Sequence, residues 1–295
     1  ARAPGGARRG LVVSAGARGA RGGGAPARGR RPGPDAQIGI FDSGFGGLTV
    51  ARAVLDRLPW ESIVYLADSA RSPYGPRSIA EVRSYALECL DQLVALGVKM
   101  LVIACNSASS AMLRDARERY DVPVIEVICP SVREAAAVTR SGRVGVICTA
   151  ATKTSMSYED AFAAAPHVRL TVQSCPRFVD FVERGVVAGP GLAAAAREYL
   201  AVPKAAGVDT LVLGCTHYPL LAEVIADEMG EGVSLISSAE ESAKDVAWQL
   251  GKLGLARARS APRHVFMTTG DPRQFQRIGR RFLGPVLTDV AAAVR

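Results

Sequence analysis

The chain has no Cys-x-x-Cys pair. Its six cysteines, at 89, 105, 129, 148, 175 and 215, stand 16 to 40 residues apart. That spacing argues against a zinc ribbon or a thioredoxin-type redox site. Most lie in apolar stretches, the setting of reduced thiols in a cytosolic protein rather than of a disulfide framework. No apolar run reaches the roughly 18 residues of a membrane-spanning helix. No Gly-Lys-Ser/Thr closes a phosphate loop. The glycine-rich stretch from Gly44 carries Thr49 where a dinucleotide fingerprint needs its last glycine. No lysine stands at a strand end beside a glycine loop, as a pyridoxal phosphate site would place it. Histidine is scarce, with only His167, His217 and His264, and only His217 adjoins a candidate nucleophile.

Net charge is also missing from most of the chain. The formal +8 comes from residues 1–34, which hold eight arginines and no acid; the remainder has 28 basic and 28 acidic residues. The basic balance therefore describes the arm and not the folded part. Residues 1–35 offer only "LVV" (11–13) to bury and are expected to be a disordered Arg/Gly/Ala-rich tail without the apolar core of a secretory signal. A salt-sensitive contact with nucleic acid is the functional alternative to an inert tail.

From residue 37, short β-branched runs alternate with longer amphipathic ones. Strands are expected at 37–41, 62–67, 98–104, 122–128, 143–149, 168–174, 208–214, 233–237 and 264–269. They read as continuous apolar runs, as strands buried on both faces do. Helices are expected at 79–97, which stops at Gly97, and at 109–121. The alternation argues for α/β architecture with mainly parallel sheets.

Two segments align without a gap: "GVKMLVIACNSAS" (97–109) and "GVDTLVLGCTHYP" (207–219). Each runs Gly-Val, apolar strand, cysteine. Ligands of open α/β sheets sit at the carboxyl ends of strands, and both thiols fall there. Cys89, Cys129, Cys148 and Cys175 suit buried packing. Cys105 and Cys215 differ because polar residues follow them, Asn106 and Ser107 in one case, Thr216 and His217 in the other. Each also begins a helix or turn, where free backbone N–H groups favour a thiolate. In "IFDSGFGGLTV" (40–50), Asp42 would repel a phosphate but suits an ammonium group. Ser43 and the loop amides could accept a carboxylate. Asp42 could equally cap the following helix.

These segments together resemble the glutamate racemase family, within the cofactor-independent aspartate/glutamate racemases. The matching stretches are "GIFDSGFGGLTV" (39–50), "SPYGP" (72–76), "VIACNSAS" (102–109), "CPRFVDFVERG" (175–185) and "LVLGCTHYPLL" (211–221). They run in family order and span nearly all of 36–295. The resemblance implies two pseudo-symmetric three-layer α/β domains with the active site in the cleft between them. The first would comprise 36–129 plus 238–295 and the second 130–237. It implies interconversion of L- and D-glutamate for peptidoglycan, with no cofactor and no metal, by a cytoplasmic homodimer. Aspartate racemisation is the alternative within the class, and DNA gyrase or nucleic acid a further partner.

By the same resemblance, Cys105 and Cys215 are the two acid/bases, Cys105 acting on D-glutamate and Cys215 on L-glutamate. Asp42 assists the first thiol and meets the ammonium. His217 partners the second, with Glu183 beside it. Ser43, Tyr74, Gly75, Asn106, Ser107, Thr216 and His217 match substrate-binding positions. The chain departs from the family's usual pattern with Ser107 in place of threonine and with Cys148, in place of glycine, before Thr149.

The chemistry explains two thiols. Inverting a stereocentre by deprotonation needs a base on one face and an acid on the other, and the roles exchange in the reverse direction. A thiol, with a reference pKa of about 8.5, can serve as either near neutrality after a modest shift. Without an iminium, charge developing on the α-carbon and carboxylate needs hydrogen-bond donors. Backbone N–H groups and the side chains of Ser43, Asn106 and Thr216 are the expected ones.

Overall fold

The computed structural model describes residues 32–294. The expected disorder and nucleic-acid contact of the tail fall almost wholly outside the described residues. Pro34 and Asp35, at the tail's expected end, accept hydrogen bonds from Lys99 Nζ (2.6 Å) and Arg257 (3.0 Å).

Strands and helices alternate along the described chain. The first run is β1 (Ile38–Asp42), α1 (Leu48–Arg57), β2 (Ile63–Ala67), α2 (Ile79–Ala95), β3 (Met100–Ile103), α3 (Asn106–Arg119) and β4 (Val124–Glu126). Next come α4 (Ile128–Val138), β5 (Arg143–Cys148), α5 (Ala150–Thr154), α6 (Ser157–Phe162), β6 (Arg169–Ser174), α7 (Arg177–Glu183), α8 (Pro190–Ala205), β7 (Thr210–Gly214), α9 (Ala222–Met229) and β8 (Ser234–Ser237). The chain ends with α10 (Ser238–Leu253), β9 (Val265–Thr268), α11 (Pro272–Leu283) and β10 (Val290–Ala292).

The strands form two sheets, ordered β10-β9-β2-β1-β3-β4 and β6-β5-β7-β8. Every pairing is parallel. The nine expected strands are all present with altered ends, and β10 is an addition. The run 122–128 keeps only three strand residues because the Glu126 carboxylate accepts the amides of Ile128 (2.5 Å) and Cys129 (2.8 Å). Those bonds satisfy free N–H groups at the start of α4.

Each sheet is covered on both faces, giving three layers. On the six-stranded sheet, Ile38, Ile40, Tyr65 and Val102 face α1 and α10. Phe41, Leu66, Leu101 and Ile103 face α2 and α3. On the four-stranded sheet, Ile147, Leu211 and Leu213 join α7 and α8, while Val144, Val146 and Val212 join α4 and α6. Helix α2 starts with a reciprocal Ser78–Glu81 capping box. The glycines that open the internal repeat, Gly97 and Gly207, have φ of 77° and 65°. This left-handed conformation ends α2 and α8 and turns the chain into β3 and β7. Among the described residues no helix is long and apolar enough to cross a membrane.

This topology places the thiols. In the six-stranded sheet, β1 has β2 on one side and β3 on the other. In the four-stranded sheet, β5 is flanked in the same way by β6 and β7. The strand order reverses at each of these points, opening a crevice at the carboxyl ends. Cys105 lies just beyond β3 and Cys215 follows β7 directly.

Candidate active site

Helix α3 begins at Asn106, three residues earlier than the periodicity suggests, so Cys105 occupies its N-cap. The sulfur lies within 3.5 Å of Ser43 Oγ, which it donates to, and the residue is only 5% exposed. Burial pushes the Cys105 thiol up to about 12. The Asp42 carboxylate adds to that rise, while Ser43 and the Ala108 amide oppose it. The expectation of a thiol shifted toward neutrality by helix amides therefore fails here. The amide is present, but desolvation and a like charge outweigh it.

Asp42 ends β1 and is fully buried. Its Oδ2 accepts the Gly44 amide at 2.8 Å, and Oδ1 has no partner. Burial raises its pKa; His217 and the amides of Gly47, Gly44 and Ser43 pull back only in part. Asp42 does not cap α1, whose N-cap is Gly47 without a side-chain hydrogen bond. Gly47 is needed for another reason, since a Cβ there would run into Asp42. The hydroxyl of Tyr65 donates to Gly44 O at 3.0 Å and holds the loop.

On the other side, Cys215 leads into a turn and a short 3₁₀ helix over Tyr218–Leu221. Its sulfur is 3.8 Å from His217 Nδ1. On the far side of the ring, His217 Nε2 is 3.4 Å from Glu183 Oε1, an ion-pair distance without hydrogen-bond geometry. Burial alone would pull the imidazole down, but the Cys215 sulfur and the Glu183 carboxylate outweigh it and lift His217 to about 10. The sulfur and the carboxylate on its two sides thus favour the protonated ring. The Tyr218 hydroxyl sits 3.0 Å from Cys148 O and 2.9 Å from Cys175 O, pinning the turn.

Contacts between the two sets of elements bring the halves together. Thr49 Oγ1, in α1, donates to Thr216 O at 3.1 Å. A Cβ at Gly46 would run into Thr216 Oγ1 and the His217 ring. Ser107 and Thr149 share a hydrogen bond of 2.9 Å. Asn106 Nδ2 donates to Tyr158 at 3.1 Å, and the Ala151 amide donates to Gly75 O at 2.9 Å. A charge on Cys215 raises the pKa of Cys105, and His217 lowers that of Asp42. The four groups thus share one low-dielectric region.

The structure brings nearly all of the sequence-derived residues to this region. The buried polar atoms without partners include Asp42 Oδ1, Asn106 Oδ1, Glu183 Oε1 and His217 Nε2. Two expectations change. One N–H of the Asn106 amide goes to Tyr158 and its carbonyl oxygen is buried without a partner, so the side chain presents a free acceptor in addition to the donor expected from the sequence. The Tyr74 hydroxyl is committed to Asp68, a buried carboxylate that also accepts from Thr269 Oγ1 (2.7 Å) and Arg71 Nε (2.7 Å). Sequence reasoning missed Asp68, Tyr65 and Tyr158, whose roles depend on long-range contacts. It also left Thr149 aside, although Thr149 follows β5 as Ser43 follows β1.

A polar cavity of about 330 Å³, lined in part by Phe45, Ser72, Glu183 and Gln274, adjoins the His217–Glu183 pair. Larger cavities of about 400 and 540 Å³ include neither thiol, so the convergence of chemical groups, and not volume, marks the site. Among the described residues no cluster of three or more His, Cys, Asp or Glu side chains could hold a metal ion.

Residues 48–246 match the Asp/Glu/Hydantoin racemase family. A glutamate racemase of Beutenbergia cavernae is 63% identical over 273 residues, covering 88% of this chain and 94% of the relative. The crystal structure of a glutamate racemase isoform from Bacillus anthracis superposes with a TM-score of 0.84 at 39% identity, covering 88% of this chain and 97% of that one. The Francisella tularensis glutamate racemase in complex with D-glutamate gives a TM-score of 0.82 at 32% identity, covering 89% and 98%. An aspartate racemase homologue from Pyrococcus horikoshii shares the fold at 15% identity. With paired thiols at equivalent sheet crevices and relatives of this closeness over nearly their whole length, the chain belongs to the glutamate racemases of the Asp/Glu/Hydantoin racemase family.

Proposed function

We propose that the protein interconverts L- and D-glutamate by proton transfer between Cα and two thiols, Cys105 and Cys215, and so supplies D-glutamate for peptidoglycan. The observation that carries this reading is the placement of the two sulfurs. Each lies at the reversal point of its own parallel sheet, 5% exposed, and the charge of one is felt by the other. The division into 36–129 plus 238–295 and 130–237 goes with this reading. It is supported by the sheets, which draw their strands from 38–126 and 265–292 in one case and 143–237 in the other.

In the L-to-D direction the Cys215 thiolate, beside the His217 imidazolium, removes the α-proton. The electron pair stays on Cα and spreads into the carboxylate. The Cys105 thiol then gives its proton to the opposite face. The products are D-glutamate, a Cys215 thiol and a Cys105 thiolate, and a proton exchange resets the pair. The reverse direction starts from the Cys105 thiolate. An ammonium seated against Asp42 favours that thiolate by offsetting the carboxylate that otherwise opposes it. Loop amides and the hydroxyls of Ser43 and Thr216 face the developing charge. Exclusion of water strengthens each of these interactions.

Aspartate is the weaker substrate in this reading, because the near relatives are glutamate racemases. Cytoplasmic location and a homodimer go with the family, and light scattering on the purified protein checks the latter. The deciding experiment is incubation of L-glutamate in D₂O without cofactor. D-glutamate carrying deuterium at Cα is expected; turnover of aspartate in preference to glutamate would overturn the assignment.

A further inference from the structure

The hydroxyl of Tyr158 lies between the two thiol-bearing segments. The residue is fully buried at the start of α6, with its ring among Val144, Val146, Phe162 and Val212. Its oxygen is 3.1 Å from Nδ2 of Asn106, the residue after Cys105. It also packs against Gly214, the residue before Cys215: a Cβ on Gly214 would lie 3.0 Å from the phenol oxygen.

The direction of the hydrogen bond is that of its donor: Asn106 Nδ2 donates and the phenol oxygen accepts. A carboxamide has its donors on nitrogen alone, so this bond turns the NH₂ edge of Asn106 toward Tyr158. Oδ1 is left buried and without a partner.

We propose that Tyr158 is a positioning residue that locks the Asn106 amide with its carbonyl oxygen turned toward the substrate ammonium. The proposal rests on the racemase reading of Asn106 and adds a specific function for a residue outside the motifs. Asp42 Oδ1 and Asn106 Oδ1 are both buried and unpartnered, and the proposal makes them the two acceptors of the ammonium. Without the phenol, the amide could rotate and offer NH₂ instead, setting a donor against a donor.

Tyr158→Phe removes the hydroxyl and keeps the ring. KM for glutamate should rise about tenfold, as for one lost hydrogen bond to a charged group, with kcat changed less than about threefold. In an Asn106→Ala background the same substitution should have no further effect on KM. An equal effect in both backgrounds, or a loss confined to kcat and thermal stability, overturns the proposal. Gly214→Ala, which displaces the phenol by another route, should reproduce the KM rise. A readout independent of turnover is hydrogen exchange of the Asn106 side-chain NH₂, assigned by its absence in Asn106→Ala. Exchange should be slow in the wild-type protein and at least about tenfold faster in Tyr158→Phe; unchanged exchange refutes the lock. Failure of the wild-type protein to exchange Cα hydrogen would refute the racemase reading instead, and the amide measurement would still decide the role of Tyr158.

Discussion

Cys105 and Cys215 occupy the same position in two similar sheets, yet their electrostatic surroundings are opposite. Cys105 faces a buried carboxylate, Asp42, and is held as a thiol with its pKa pushed up to about 12. Cys215 faces an imidazole whose protonated form Glu183 and the sulfur itself favour. One fold repeat therefore gives two unlike proton carriers. The difference suits a proton transfer across Cα, which needs a proton donor on one face and an acceptor on the other. It also makes the substrate part of the electrostatics, since an ammonium at Asp42 reverses the local preference on one side only.

Removing either sulfur is the most severe way to break the comparison. Cys105→Ala and Cys215→Ala should each cost about 10³-fold in racemisation, within the usual span of general acid–base catalysis. Deuterium exchange at Cα should separate them. Cys105→Ala retains exchange into L-glutamate, and Cys215→Ala into D-glutamate, as NMR in D₂O can follow. Full racemisation by either variant would end the two-thiol account.

Asp42→Asn tests the carboxylate side. It should lower kcat/KM by about 10²-fold, the effect of losing a buried ionic contact with the ammonium. The same change removes the charge that raises Cys105. Iodoacetamide should then modify Cys105 faster at fixed pH, as peptide mass spectrometry can record; slower modification would contradict the assigned cause.

Glu183→Gln tests the imidazolium side with a smaller effect, about tenfold on the L-to-D rate. His217 should titrate below its wild-type value of about 10, so the alkaline limb of the pH–rate profile moves to lower pH. Because the folded pKa of His217 lies above its ordinary 6.5, its contribution to stability is complete below about pH 6.5 and fades as pH rises through about 10. Chemical denaturation across that window should show the loss in the wild-type protein and less of it in Glu183→Gln.

The supporting tyrosines give the smallest contrast. Tyr65→Phe removes one hydrogen bond, to Gly44 O, at a cost of about 1 kcal/mol. Tyr218→Phe deprives two buried carbonyls of their shared hydroxyl and should cost more, about 2 kcal/mol. Denaturant titration of both variants would rank them, and an inverted order would mean that the Asp42 loop is the more tightly tethered of the two.

Much of the site was legible before any coordinates because its parts carry local signals. Cys105 and Cys215 stand at the ends of apolar runs and are followed by polar residues. Asp42 sits where a strand gives way to glycines. Other parts had no such signal. Tyr158 lies in an ordinary polar–aromatic stretch, and its distance from Asn106 is set by the approach of two separate sheets. The start of α3 at Asn106 was hidden because "CNSAS" has no apolar periodicity. Strand β10 was hidden in an alanine-rich end that becomes a strand only by pairing with β9.

The sequence by itself determined the alternation of strands and helices, the parallel sheets, and the matched thiols of an internal repeat. All of these follow from periodicity and from residue types a few positions apart. Only the tertiary structure decided that burial and Asp42 together raise Cys105, how closely Glu183 approaches His217, and that the Asn106 carbonyl oxygen is left as a buried acceptor without a partner. Those outcomes depend on burial and on contacts between residues far apart in the chain. Desolvation and Coulomb interactions have no magnitude until the fold fixes which charges lie within a few ångströms of each other.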